Sequence, residues 1–294
     1  MFNFLHFVIV RILTFVFTIL PFGLSLWLAR RAGDLIYFVM RNRRKVALDN
    51  VERAYGQTLS PERKKQLVHK AFQSTAVSVL ELFLARKVKG NLSKHFKVTG
   101  RESLARAFSK GKGVIIVVSH LGSWEYLSFI GPLTNTQWSV VVKEMKNPYI
   151  NRIIDSLRRI TTINPIPKAN STRAVMKELK MNRGVAILID QWAGPEGLWV
   201  DFFNTPTSTT SIHVRFAKKT GCALVPAYCI RTAPAQYEVQ IGEPIFANEA
   251  TVDWENSLTR RLNEQLERKI LQYPEQWLWG HRRWKEKPAT LRTV

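Results

Sequence analysis

Two residue types able to do acid–base chemistry stand close together in the stretch SHLGSWE: His120 and Glu125, with four residues between them. A carboxylate on one nitrogen of an imidazole fixes its tautomer and leaves the other nitrogen free to act as a general base. The spacing is weak by itself, because the chain has six histidines and offers a second match, His281 and Glu286 in HRRWKE. Context separates the two. His281 lies among arginines with no strand before it, whereas His120 ends the apolar run GVIIVVS (113–119). Gly122 and Ser123 then open a helical stretch whose first turn carries Glu125. Catalytic groups of α/β proteins gather at the carboxyl ends of strands, and backbone N–H groups at a helix start offer a place for negative charge. The competing reading is a hydrogen-bonded histidine at a strand end with no chemistry at all.

Other catalytic templates lack their residues. The chain has no G-x-S-x-G elbow, no Walker A loop and no G-x-G-x-x-G after a strand. With no covalent nucleophile in view, a histidine base acting on a substrate hydroxyl is the economical mechanism, and it needs no metal or other cofactor. Cys222 and Cys229 share one apolar run, too far apart along a strand to bond, and read as small core residues.

The elements around His120 decide whether it can be positioned. A chain of 294 residues, 46% hydrophobic, is long enough for one large domain with a sizeable core. From Arg41 to Lys89 the pattern is helical, with Ser60-Pro61-Glu62 as a capped helix start. Short apolar runs follow at 113–119, 138–143, 185–190 and 222–230. Helical stretches at 123–130, 147–160, 170–182 and 209–220 alternate with them, and a final helix covers 252–272. Strands apolar on both faces, alternating with helices, predict an α/β fold with a mostly parallel central sheet flanked by helices. The alternating run at 237–245 predicts an antiparallel edge strand.

The balance of 44 Lys+Arg against 22 Asp+Glu leaves a net charge of +22, which calls for an anionic partner. The N-terminal run FNFLHFVIVRILTFVFTIL is nearly all apolar, stops at Pro21, and is followed by Arg30–Arg31 and the Arg41–Lys45 cluster. It has no basic stretch before it and no small-x-small site after it, so it does not read as a secretory signal. Arg11 interrupts it as a spanning helix. Apolar and aromatic anchors followed by basic clusters predict N-terminal membrane-associated helices over 1–40 and a catalytic domain over 41–294.

Together, several motifs resemble one family. SHLGSWE is similar to the H-x4-D/E motif of the glycerolipid and lysophospholipid acyltransferase superfamily. DNVERAYG (49–56), DQ (190–191), VDFFN (200–204), TSTTS (207–211), LVPAY (224–228) and PEQWLWGHRRWK (274–285) add the likeness to its bacterial lipid A late acyltransferase branch. The resemblance covers nearly the whole chain. It implies a glycerolipid acyltransferase-like fold, His120 as base, and Glu125 as its partner. The reaction implied is transfer of a fatty acyl chain from an acyl carrier protein or coenzyme A thioester to a lipid hydroxyl. Arg158 or Arg159 resembles an arginine that stabilises developing charge or binds acceptor phosphate. Asp190 and Gln191 follow a strand and face the His120 cleft, or else cap a loop. Thr209 and Thr210 open a helix whose amides bind phosphate or are merely capped. Trp277, Trp279 and Trp284 line an acceptor path, lie at the lipid headgroups, or pack in the core. Two departures stand out: ITTIN after the arginines where the family often has glycine, and Phe202-Phe203-Asn204 where it commonly reads F-F-G. Asparagine tolerates positive φ, so that turn survives.

The implied acceptor is a lipid A precursor and the implied location the cytoplasmic face of the inner membrane, with an anionic lipid surface as partner. The alternatives are a lysophospholipid or another glycolipid as acceptor, or a non-catalytic basic membrane- or nucleic-acid-binding protein. No nucleic-acid motif is present, so nucleic acid is not the expected partner. The two histidine matches give a direct prediction. His120→Ala lowers kcat for acyl transfer by about 10²–10⁴-fold with the fold intact, and His281→Ala costs kcat far less. Steady-state kinetics of the purified variants checks this, and an equal loss in kcat would reverse the assignment.

Overall fold

The computed structural model describes residues 2–145, 147–169, 171–247 and 253–286. Helices α1 (Phe2–Ile19) and α2 (Phe22–Val39) are separated at Pro21 and followed by α3 (Arg41–Tyr55) and the long α4 (Pro61–Lys89). As the sequence suggests, Ser60 caps α4 by accepting the Arg63 N–H, with Pro61 in the first turn. A short α5 (Leu92–His95) leads into β1 (Phe96–Thr99), α6 (Arg101–Phe108) and β2 (Val114–Val118). A 3₁₀ turn over Trp124–Phe129 then runs into α7 (Ile130–Thr134). Next come β3 (Trp138–Val142), α8 (Pro148–Ile160), β4 (Asn164–Pro167), α9 (Ser171–Lys180) and β5 (Gly184–Leu188). A hairpin of β6 (Leu198–Phe202) and β7 (Thr205–Thr209) precedes α10 (Ile212–Thr220), β8 (Ala223–Ala233), β9 (Gln236–Ile241) and α11 (Trp254–Gln272). A 3₁₀ turn at Pro274–Gln276 and an extended tail end the described chain.

Seven strands form the central sheet in the order β1-β9-β8-β2-β5-β3-β4. Every neighbouring pair is parallel except β8 with β9. The apolar runs are explained by this burial. In β2, Val114, Ile116 and Val118 face one core layer, while Ile115 and Val117 face the other. One layer packs α4, α6 and the 124–134 segment against the sheet; the other packs α9, α10 and α11.

Three expectations change. The strand over 236–241 is antiparallel to β8 but is not an edge, because β1 adds in parallel outside it. The 123–130 stretch is a 3₁₀ turn rather than an α-helix. Residues 207–209 do not start a helix. They belong to β7, which pairs with β6 across a two-residue turn in which Phe203 and Asn204 both have positive φ. The helix begins at Ile212, because the β-branched threonines find a cross-strand partner first. The expected helix starts at 170 and 252, and the chain beyond 286, lie outside the described residues.

The first two helices pack on the rest of the protein. Leu26 and Ala29 of α2 join Val77, Leu80 and Leu84 of α4 in one cluster, with Phe17 of α1 against it. Gly33 permits this close approach, since a Cβ there would lie 2.5 Å from Gln73 Cα. Among the described residues no helix is long and apolar enough to cross a membrane.

Glycine is equally required where β2 turns away from the sheet. Gly122 has φ +67, and a Cβ there would lie 2.1 Å from the Cys229 carbonyl oxygen. The Ser123 N–H donates to that same oxygen, and Ser78 of α4 donates to the Gly122 carbonyl. Gly122→Ala therefore loses at least ~2 kcal/mol of stability, from an unfavourable backbone region plus a backbone clash. A urea or thermal unfolding midpoint within error of the parent would show that the loop has room to relax.

Candidate active site

His120 and Asp190 stand at equivalent places on neighbouring parallel strands. Val118 of β2 is in register with Leu188 of β5, and each chain continues two residues further to reach His120 and Asp190. Their side chains meet there, with His120 Nδ1 2.8 Å from Asp190 Oδ1. The His120 backbone N–H and the Trp277 Nε1–H donate to Asp190 Oδ2 at 2.8 and 2.9 Å. A carboxylate acceptor on Nδ1 requires the Nδ1–H tautomer and leaves Nε2 with its lone pair facing the cavity. The Gln191 amide lies 3.4 Å from Nε2, a loose contact.

The charges agree with this geometry. Burial alone would raise the Asp190 pKa, but the His120 charge and hydrogen bond, with the Trp277 and backbone N–H groups, hold it at about 2. Burial disfavours the imidazolium, yet the Asp190 carboxylate, by charge and hydrogen bond, and the Glu125 charge raise the His120 pKa above 6.5. Asp190 is thus a fixed negative charge, and His120 a base strengthened by it.

Glu125 does not turn back to the imidazole as the spacing suggests. Its carboxylate accepts two hydrogen bonds from Arg158, Nε at 3.1 Å and Nη2 at 2.8 Å. The 3₁₀ turn sends Glu125 toward α8 instead, where a guanidinium fork matches both its oxygens. Burial opposes the Arg158 charge, but Glu125 and then Asp155 hold its pKa above the usual value. Arg159 is exposed and Arg158 lines the cavity, so of the two arginines Arg158 is the one that faces the site. The Gly122 and Ser123 amides are already taken by Gln276 and Cys229 carbonyls, so they hold no substrate charge. Thr209 is fully buried and accepts from Arg283 Nη2 at 2.6 Å, which removes it from substrate contact, while Thr210 lines the cavity.

The sequence singled out the tail tryptophans without locating their role. Trp277 and Trp279 are buried in the core, and Trp277 orients Asp190. The tail is laced to the chain that leaves β2: the Gly122 N–H donates to Gln276 O, and the Leu278 N–H to His120 O. Arg283, fully buried, donates to the Gln191 and Ser208 carbonyls and to Thr209, and its guanidinium lies over the Phe202 ring. Burial pulls Arg283 down to about 10, against the pull of the Asp190 charge. The density of Trp and Arg in PEQWLWGHRRWK was the signal; nothing in it names the partners.

A cavity of about 620 Å³ opens beside this pair. His120, Glu125, Arg158, Gln191, Lys143 and Lys168 line it together with apolar side chains of β2, β3 and β5, and Trp138 is buried. Trp138 is locked there, because its ring covers Gly184, where a Cβ would lie 2.0 Å away. The site thus presents an imidazole with a free Nε2 at the wall of a cavity lined by both apolar and polar side chains.

The chain belongs to the family of bacterial lipid A biosynthesis acyltransferases, whose family model matches residues 3–286. It is similar to the lipid A biosynthesis palmitoleoyltransferase of Escherichia coli K12, 25% identical over 277 residues, covering 92% of this chain and 88% of the relative. The lipid A biosynthesis lauroyltransferase of the same organism is 24% identical over 286 residues, with the same coverage of both chains, 92% and 88%. A phosphatidylinositol mannoside acyltransferase of Mycobacterium tuberculosis is 23% identical over 136 residues, 45% of this chain and 43% of that protein.

The two carboxylates separate in a kinetic test. Asp190→Asn lowers kcat by about 10²–10⁴-fold, as loss of an orienting carboxylate does in other histidine-base enzymes. Because His120 must be neutral to accept a proton, kcat/KM rises with pH through its pKa. Removing the Asp190 charge lowers that pKa, so the acidic limb moves to lower pH in Asp190→Asn. Glu125→Gln moves it less and costs less turnover. The pH profile of both variants checks this, and a larger shift in Glu125→Gln would make Glu125 the dominant partner.

Proposed function

We propose that the protein transfers a fatty acyl chain from a thioester of acyl carrier protein or coenzyme A to a hydroxyl of a lipid A precursor, working at the cytoplasmic face of the inner membrane. The observation that carries the reading is the His120–Asp190 pair beside a cavity walled in large part by apolar side chains of the sheet. The acceptor hydroxyl displaces the loose Gln191 contact and hydrogen-bonds to His120 Nε2. Its oxygen attacks the thioester carbonyl carbon while its proton passes to Nε2. The new C–O bond forms, the tetrahedral adduct collapses with cleavage of C–S, and the departing thiolate takes the proton back from Nε2. Asp190 stabilises the transient imidazolium without being protonated, and the Glu125–Arg158 pair adds a more distant negative charge held in place by the guanidinium. The apolar cavity above Trp138 suits the hydrocarbon of the donor.

Membrane docking is supported by an exposed apolar face on the first two helices. Ile12, Phe15 and Ile19 of α1, and Leu24, Trp27, Leu35 and Phe38 of α2, are all exposed. On each helix these spacings fall along one side. Soluble surfaces rarely carry so large an apolar patch, and each such side chain buried in lipid is worth about 1.5–3 kcal/mol. Arg30, Arg31, Arg41 and Arg43 supply the adjoining positive charge.

The decisive assay is transfer of a labelled acyl group from defined thioesters to a purified lipid A precursor and to a lysophospholipid, with product mass spectrometry. Acylation of the lysophospholipid alone would overturn the acceptor assignment. For docking, α1 is no detachable tail, since Phe17 and Val10 pack against the body. Point changes are the cleaner test. Phe15→Ser, Trp27→Ser and Phe38→Ser together release most protein from anionic liposomes in sedimentation, with activity on detergent-dispersed acceptor retained far better than on bilayers. Full retention on liposomes would move the membrane contact elsewhere.

A further inference from the structure

A second cavity, of about 740 Å³, lies on the far side of Trp192 from the apolar one. Arg41 and Arg43 of α3 and His281, Arg282 and Lys285 of the tail line it, with no carboxylate in its wall. Among the described residues no ion pair joins Arg41, Arg43, Arg282 or Lys285 to an acid.

Three features make this more than a basic surface. First, the cations crowd the amino end of a helix. Met40 supplies no side-chain cap, no acid stands in the first turn of α3, and Arg41, Asn42 and Arg43 occupy it. A helix amino end is already positive, so clustering cations there costs stability unless an anion is bound. Secondly, the two walls are fixed to one another: the Asn50 amide of α3 donates to the carbonyls of Trp279 and His281, both at 2.8 Å. Thirdly, two buried wall atoms, Trp192 Nε1 and His281 Nδ1, have no hydrogen-bond partner among the described residues. Lys285 Nζ meanwhile lies 3.7 Å from the centre of the Trp192 ring.

The position tells which anion fits. The His281 N–H donates to the Leu278 carbonyl and the Leu278 N–H to the His120 carbonyl, so the tail wall of the cavity begins beside His120. Its rim also includes Val39 and Met40, exposed apolar residues at the end of the stripe on α2. A group held here is therefore at headgroup depth, beside His120 and across Trp192 from the hydrocarbon slot. Of the cations that line the apolar cavity, Arg158 is held by Glu125, and Lys143 and Lys168 are exposed.

We propose that this cavity is the subsite for a phosphate group on the acceptor glycolipid, and that it sets the distance at which the acceptor hydroxyl meets His120. The proposal rests on the acyl transfer reading above and deepens it. Guanidinium forks and a helix amino end are the donors a phosphate monoester prefers.

Binding is measured first on His120→Ala protein without an acyl donor, so that no transfer occurs, using a phosphorylated lipid A precursor and the same lipid after phosphatase treatment, both in detergent. The phosphorylated lipid binds at least about tenfold tighter, and Arg43→Gln with Lys285→Gln removes that preference. Inorganic phosphate competes with the phosphorylated lipid only. In the active enzyme the same pair of changes raises acceptor KM by a similar factor and acts on neither kcat nor donor KM to that extent. Equal weakening of both lipids, or a rise confined to donor KM, overturns the subsite; the second outcome would give the cavity to a phosphate of the donor. If the parent enzyme transfers no acyl group while His120→Ala still prefers the phosphorylated lipid, the acyl transfer reading fails and the phosphate site stands.

Discussion

The hydrogen bond from His120 Nδ1 to Asp190 organises the site, and it exists because β2 and β5 run parallel and in register. Parallel strands bring residues 70 apart in sequence to the same end of the sheet. Each strand then releases one functional side chain two positions past its last paired residue. A slip of one residue in either strand would turn one of the two away from the other. Much of the surrounding structure prevents that slip. Apolar side chains on both faces of β2 and β5 lock the register into two core layers. The tail crosses the strand end, and Trp277 holds the second carboxylate oxygen.

The two carboxylates of the site have separate cationic partners, and this keeps their tasks apart. Asp190 is buried, and the charge and hydrogen bond of His120, with the Trp277 and backbone N–H groups, keep it ionised. Glu125 is held by the fork of Arg158.

Around this centre the molecule divides by polarity. The apolar slot lies over the sheet, the basic cavity lies between α3 and the tail, and Trp192 belongs to both. The exposed apolar stripe of α2 ends at the rim of the basic cavity. An apolar-walled cavity, an imidazole and a basic cavity thus lie side by side. The buried Glu81–Arg231 pair stiffens the far side: Arg231 also donates to Ser78, which in turn donates to the Gly122 carbonyl.

What the sequence determined by itself were the features set by neighbours along the chain. The apolar β-branched runs are strands because both their faces are buried, the break at Pro21 and the start at Ser60-Pro61 follow from local backbone chemistry, and Asn204 keeps its turn because it accepts positive φ. His120 was legible as a strand-end residue for the same reason. Its partner was not. Spacing pointed to Glu125, five positions on, but the 3₁₀ turn carries that side chain to Arg158, and the carboxylate that reaches the ring comes from another strand. The edge strands β1 and β4 and the hairpin of β6 and β7 were likewise hidden, since four- and five-residue strands draw their pairing from elsewhere in the chain. The roles of Trp277 and Arg283 were decided only when the tail folded back over the sheet, because a hydrogen bond between residues 87 or 74 positions apart leaves no periodic trace in the sequence.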